Sequence, residues 1–149
     1  MTSFAGRFYV ADGARTIPGC VQQPRVPFAV AATGPRAMGV AIRHAHTWVT
    51  TGEGTVTSPA AIDTSLRAVR AQMAQMEELC GVTGRDFTSL RRLVVTGPLL
   101  ASCLESVEAF RDAAGRYEEA GASDLVVHWP RSEEPYAADV ATFERIFSA

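Results

Sequence analysis

Hydrophobic positions along this chain fall into short unbroken runs that alternate with helix-spaced stripes. Phe28 to Ala32 is a continuous apolar run, the pattern of a strand buried on both faces. Pro35 then suits a first helical position behind Thr33 and Gly34, and Met38, Ala41, Ile42 and Ala45 recur at helical spacing. Thr47 to Thr51 is rich in β-formers and predicts a second strand. Ile62, Leu66, Val69, Met73, Met76 and Leu79 mark one face of a long helix, which Gly81 and Gly84 are expected to end.

The same rhythm repeats to the C-terminus. Leu90 to Thr96 predicts a third strand ending at Gly97-Pro98. Ser106 is placed to cap a helix whose apolar face is Val107, Phe110, Ala114 and Tyr117, with Gly121 as its stop. Asp124 to Trp129 predicts a fourth strand, and a last helix from about Ala138 buries Val140, Phe143, Ile146 and Phe147. Residues 1–27 break the rhythm. A short strand is expected over Phe8, Tyr9 and Val10, a turn at Asp12-Gly13, and an extended stretch at Pro18, Pro24 and Pro27.

Four strand–helix units in succession imply a parallel sheet with right-handed crossovers. Two architectures satisfy that order: a small open doubly wound sheet, or half of a (β/α)8 barrel. With 149 residues the chain is well short of the roughly 250 that a whole barrel takes.

Composition narrows the partners. The chain is 47% hydrophobic and 20% charged, with a formal net charge of −2. That balance suits a globular domain and offers no basic field for nucleic acid. All 14 basic residues are arginines. No apolar stretch reaches the roughly 20 residues of a membrane span, and no signal peptide is evident near Met1, so a cytoplasmic location is the expectation. Cys20, Cys80 and Cys103 are far apart and form no CxxC pair, so neither a disulfide framework nor a zinc site is expected. His44-Ala45-His46 lacks a third ligand nearby, and no metal is assigned.

In parallel α/β folds, ligands gather at the C-terminal ends of the strands. Ala31-Ala32-Thr33-Gly34-Pro35-Arg36 joins small residues to a helix start, whose N–H groups suit a phosphate, with Arg36 adding charge; the same residues also make an ordinary helix cap. Thr50 and Thr51 bring two hydroxyls to the next strand end, where Glu53 disfavours an anionic substrate. His128 and Trp129 end the fourth strand and point to opposite sides, so only one can face the interior: His128 as a polar contact or acid–base group, Trp129 as a wall for a ring. Both also read as packed core residues, and no catalytic residue is identified.

Several of these segments together resemble the luciferase-like monooxygenases. Phe4 to Tyr9 with Asp12 to Arg15 resembles the segment before that family's fifth strand, and Pro24 to Arg36 its fifth strand and phosphate-side loop. Ala41 to His44 with Thr47 to Thr50 is similar to the next helix and strand, although His46-Thr47 stands where the family often has Asp-Gly. Ser106 to Phe110 and Gly121 to Pro130 resemble its last crossover helix and eighth strand. The resemblance implies the C-terminal half, strands five to eight, of a (β/α)8 TIM barrel: one partial luciferase-like domain over 1–149, with an irregular lead-in over 1–27 and four βα units over 28–149.

It further implies a flavin- or deazaflavin-dependent oxidoreductase fragment using coenzyme F420, or alternatively FMN, inactive without the N-terminal half. Ala31, Ala32, Thr33 and Gly34 would line the cofactor tail, and Thr50 and Thr51 would face the mouth. Glu53 stands where the family's sugar-phosphate dehydrogenase has a lysine, which argues against a sugar-phosphate substrate. The implied partners are a small-molecule substrate and either an N-terminal half-barrel or a second copy of the chain. The alternative is a non-catalytic half-barrel module that homodimerises.

Overall fold

The computed structural model describes residues 1–15, 17–52, 62–97 and 102–148. The expected loop positions Glu53, Gly54, Ser58 and Pro59, and Pro98 after the third strand, lie outside the described residues.

Residues 1–14 are more regular than expected. β1 (Thr2–Ala5) and β2 (Val10–Ala14) pair antiparallel, with Phe4 opposite Ala11 and Ala5 opposite Val10. The reversal is at residues 6–9, where the Gly6 N–H donates to the Tyr9 carbonyl at 3.0 Å. Asp12-Gly13 is therefore not the turn. Gly13 takes a positive φ of 57° inside β2, where the register slips. A left-handed glycine after aspartate serves a bulge as well as a turn.

The second sheet holds β3 (Ala29–Ala31), β4 (Thr47–Thr50), β5 (Arg91–Val95) and β6 (Asp124–Val126), all parallel and adjacent in chain order. Each strand is shorter than its apolar run. The order never reverses among the described strands, whereas a doubly wound sheet has a switch point. Among the described residues, four α-helices connect and follow them: α1 (Pro35–His44), α2 (Ile62–Thr83), α3 (Val107–Glu119) and α4 (Val140–Phe147). Neighbouring helices touch in the same order as the strands. α1 packs on α2, the Ser65 and Tyr117 hydroxyls join α2 to α3 at 3.1 Å, and α3 packs on α4.

The caps explain where the helices stop. Gly81 does not end α2. The helix runs through it, and Gly84 (φ 73°) closes it, with the Arg85 N–H donating to the Cys80 carbonyl and the Gly84 N–H to that of Gly81. The buried stripe accordingly ends on Cys80, and Leu79 is half-buried. Ser106 caps α3 by accepting from the Ala109 N–H at 3.0 Å, and Gly121 (φ 100°) ends it. Asp139 caps α4 in the same way through Thr142. The Arg85 guanidinium binds the last carbonyls of α1 at Ile42 and Ala45, a cation on a helix C-terminus.

The core lies between the sheet and the helices. Trp48, Thr50 and Val94 point into it and are buried against Met38, Leu66, Val69, Met76 and Tyr117. On the opposite face, Ala31, Val49, Leu93, Val95 and Val126 are only half-buried or exposed, and Val126 retains 37% of its surface. No described helix is long and apolar enough to cross a membrane.

Candidate functional site

At the C-terminal ends of β3 and β4 lies a hollow of about 230 Å³, lined by Ala31, Ala32, Thr33, Ala37, Val49, Thr50 and Thr51. It exists because small residues follow β3 where α1 begins. Pro35 takes the first helical position and Gly34 is the cap, in an extended conformation with no side-chain hydrogen bond to the helix. The first intrahelical bond runs from the Met38 N–H to the Gly34 carbonyl at 2.9 Å. The N–H groups of Arg36 and Ala37 thus precede the ladder, and no acidic side chain stands in the first turn. A partial positive charge faces this end of the sheet.

Two sets of bonds hold the walls. The Ala32 N–H donates to the Val49 carbonyl at 3.0 Å, and the buried Trp48 indole N–H donates to the Ala32 carbonyl at 2.7 Å. On the β4 side, the Thr50 hydroxyl accepts from the Gly52 N–H at 3.1 Å and donates to the Gln72 side-chain oxygen; the Gln72 amide nitrogen then donates to the Gly52 carbonyl at 3.3 Å. Thr50 is 1% exposed, and Thr51 is exposed on the open side.

The structure brings together Ala31, Ala32, Thr33, Thr50 and Thr51, which the sequence placed in two separate loops. Gly34 caps the adjoining helix, and Arg36 is exposed on its first turn, outside the lining. His128 and Trp129 stand apart from this hollow. His128 is exposed and stacks on Tyr136 with centroids 4.5 Å apart. Trp129 is 60% exposed and meets Phe143 of α4 edge-on at 5.0 Å. Sequence reasoning missed Val49 and Ala37. Val49 was legible from alternation, since it shares the face of Thr51, and Ala37 from its place in the first turn of α1.

A larger hollow, of about 730 Å³, lies between α3 and the start of β6, lined among others by Arg92, Phe110, Arg111 and Asp124. It is at the opposite end of the sheet from the strand C-termini, where such folds carry stability and not chemistry. The Arg92 guanidinium there is already bonded to the Gly121 and Leu90 carbonyls at 2.7 and 3.0 Å. Among the described residues, no group of three or more His, Cys, Asp or Glu could hold a metal ion. His46 accepts from the Phe28 N–H through Nδ1 at 3.2 Å.

The site suits part of a phosphorylated cofactor. Small residues and three threonines line one space beside the first turn of α1, and a Cβ at Gly34 would meet no atom within 4 Å. The volume is below the roughly 300–1,000 Å³ of a complete small-molecule pocket.

A search of curated proteins finds no match to the chain. A family model described as luciferase-like monooxygenase matches residues 1–145, so the chain belongs to the luciferase-like monooxygenase family, whose members are oxidoreductases using a flavin or F420.

Proposed function

We propose that this chain supplies strands five to eight of a (β/α)8 barrel and holds the phosphorylated tail of coenzyme F420 in an oxidoreductase completed by a further half-barrel. The observation that carries this reading is the hollow that joins Thr33 and the start of α1 to Thr50 and Thr51 at two adjacent strand ends. Ala31 and Ala32 would form its apolar floor, Thr33 and Gly34 would face the phosphate, and Arg36 would add charge at longer range. When bound, the cofactor supplies hydride transfer to or from a small organic substrate. The chain's residues orient the tail and exclude water from beneath it. FMN is the alternative, since its phosphate would meet the same groups.

The half-exposed apolar face and the two edge strands, β3 and β6, support the need for a partner. Closing the sheet would bury Ala31, Val49, Leu93, Val95 and Val126 and satisfy both edges. That partner is an N-terminal half-barrel or, alternatively, a second copy. His128 is proposed as a substrate-side group on the open side of the barrel, whereas Trp129 packs towards α4.

Fluorescence titration of the purified chain with F420 and with FMN tests the reading, with molar mass measured in the same sample. Saturable binding that Thr33→Val weakens about tenfold is the expected result. A folded chain that binds neither, alone or with an N-terminal half-barrel added, would overturn it.

A further inference from the structure

We infer that Gln72, a helix residue well removed in sequence from the strand-end loops, is the positioning residue that sets the Thr51 wall of the hollow. The inference rests on the cofactor reading above. Gln72 sits on α2 and uses both ends of its amide on one turn. Its oxygen accepts from the buried Thr50 hydroxyl, and its nitrogen donates to the Gly52 carbonyl at 3.3 Å. The Thr50 hydroxyl is itself held by the Gly52 N–H at 3.1 Å. Three residues thus close one ring of hydrogen bonds around the backbone leaving β4.

The core does not need this ring. A valine at position 50 would bury as well as threonine, and at lower polar cost. What the ring accomplishes is directional: it fixes Gly52 at a φ of 63° and thereby the path of the chain through Thr51, whose side chain lines the hollow. Packing presses from the same side. A Cβ at Gly52 would come within 2.9 Å of the Ser65 Oγ and 3.2 Å of Val69 Cγ2. The turn therefore has one seat on α2, and Gln72 holds it there by polarity where Ser65 and Val69 hold it by shape.

Two variants separate this role from simple stability. Gln72→Leu removes both bonds at every pH. Gln72→Glu keeps the shape; its carboxylic acid can donate to the Gly52 carbonyl and accept from Thr50, but its carboxylate cannot donate. The helical neighbours Ala68, Val69, Gln75 and Met76 carry no charge, and Arg36, Arg43 and His44 of the adjoining α1 are all exposed. Glu53 follows Gly52 directly in the chain, so each variant is compared with wild type at the same pH.

The experiment is FMN and F420 titration of wild type, Gln72→Leu and Gln72→Glu between about pH 3.5 and 8 (roughly spanning a glutamate's ~4.3), with Gly52 amide protection followed by NMR in the same samples. Gln72→Glu is expected to bind within about threefold of wild type at the acid end and to weaken about tenfold as the carboxyl ionises. Gly52 protection, taken relative to wild type at the same pH, should fall in parallel. Gln72→Leu should be weak and poorly protected relative to wild type at every pH. Unchanged Gly52 protection in both variants would overturn the inference, as would unchanged affinity in both variants where wild type binds. If either variant fails to fold, Thr50→Val and Thr50→Ser make the same comparison: the serine should keep slow exchange and the valine lose it, and equal exchange in the two would overturn the inference. A wild type that binds neither ligand sinks the cofactor reading alone, because Gly52 exchange still judges the clamp.

Discussion

The Trp48 indole N–H donates to the Ala32 carbonyl at 2.7 Å, tying the largest fully buried side chain of the core to the floor of the hollow. Trp48→Phe leaves that carbonyl buried without this donor, which costs about 1–3 kcal/mol in addition to lost volume. A lowered denaturation midpoint is expected. In wild type the second tryptophan, Trp129, is 60% exposed, so acrylamide should quench it and spare Trp48. Equal quenching in Trp48→Phe and Trp129→Phe would refute this placement.

Gly52 and Gly84 both hold positive φ, at 63° and 73°, yet only Gly52 is crowded. Alanine at Gly84 should cost the backbone penalty of about 1–2 kcal/mol. At Gly52 the contact with the Ser65 Oγ adds to that penalty, so Gly52→Ala should be the more destabilising in urea. The reverse order would mean that α2 yields to the new Cβ.

Burial raises the Tyr117 hydroxyl and the Cys80 thiol above their ordinary values of 10.0 and 9.0, which the Ser65 hydrogen bond and the Arg85 charge only partly offset. Both folded groups resist ionisation that the unfolded chain permits. Their stabilisation is therefore complete below pH 9.0 and is lost as pH rises past the unfolded values and through the raised folded ones. Denaturation midpoints measured from pH 7 to 11 (roughly spanning the ordinary thiol and phenol range) should fall, and Tyr117→Phe should flatten the fall. An aromatic disulfide reagent should modify exposed Cys20 rapidly and Cys80 only on unfolding. A Cys80 as fast as Cys20 would contradict the buried assignment.

On the acid side, hydrogen bonds from Arg91 and Ser123 hold Asp124 below its ordinary 3.8, while Thr88 and Thr142 do the same for Asp86 and Asp139. Their stabilisation is present above 3.8 and is lost as pH falls through the lowered folded values. Asp124→Asn should make the acid limb of the stability curve shallower. An unaltered limb would mean that Arg91 and Asp124 do not hold their pairing between β5 and β6 in solution.

Much of this was written in local pattern. The α2 stripe, Ser106 before α3 and the alternation of runs with stripes named the four described α-helices and four described parallel strands, because a buried face tends to be apolar at the period of its own element, although α4 buries Thr142 and leaves the expected Val140 and Phe147 exposed. Local pattern misled where one residue type serves two geometries. Gly81 and Gly84 are equal as helix stops on paper, but only Gly84 sits where the last carbonyls of α2 need a left-handed donor. Asp12-Gly13 likewise suits a turn, yet pairing across β1 puts it within a strand.

The site divides the same way. The sequence by itself determined the elements, the parallel class and the small, hydroxyl-bearing strand ends at Thr33 and Thr50, since these follow from composition and spacing over a few residues. Only the tertiary structure decided that Thr33 and Thr51 share one hollow, that Trp129 turns to Phe143, and that the Gln72 amide donates to the Gly52 carbonyl. The reason is distance along the chain: contacts across 14 to 20 residues depend on how sheet and helices pack, and no local period encodes that.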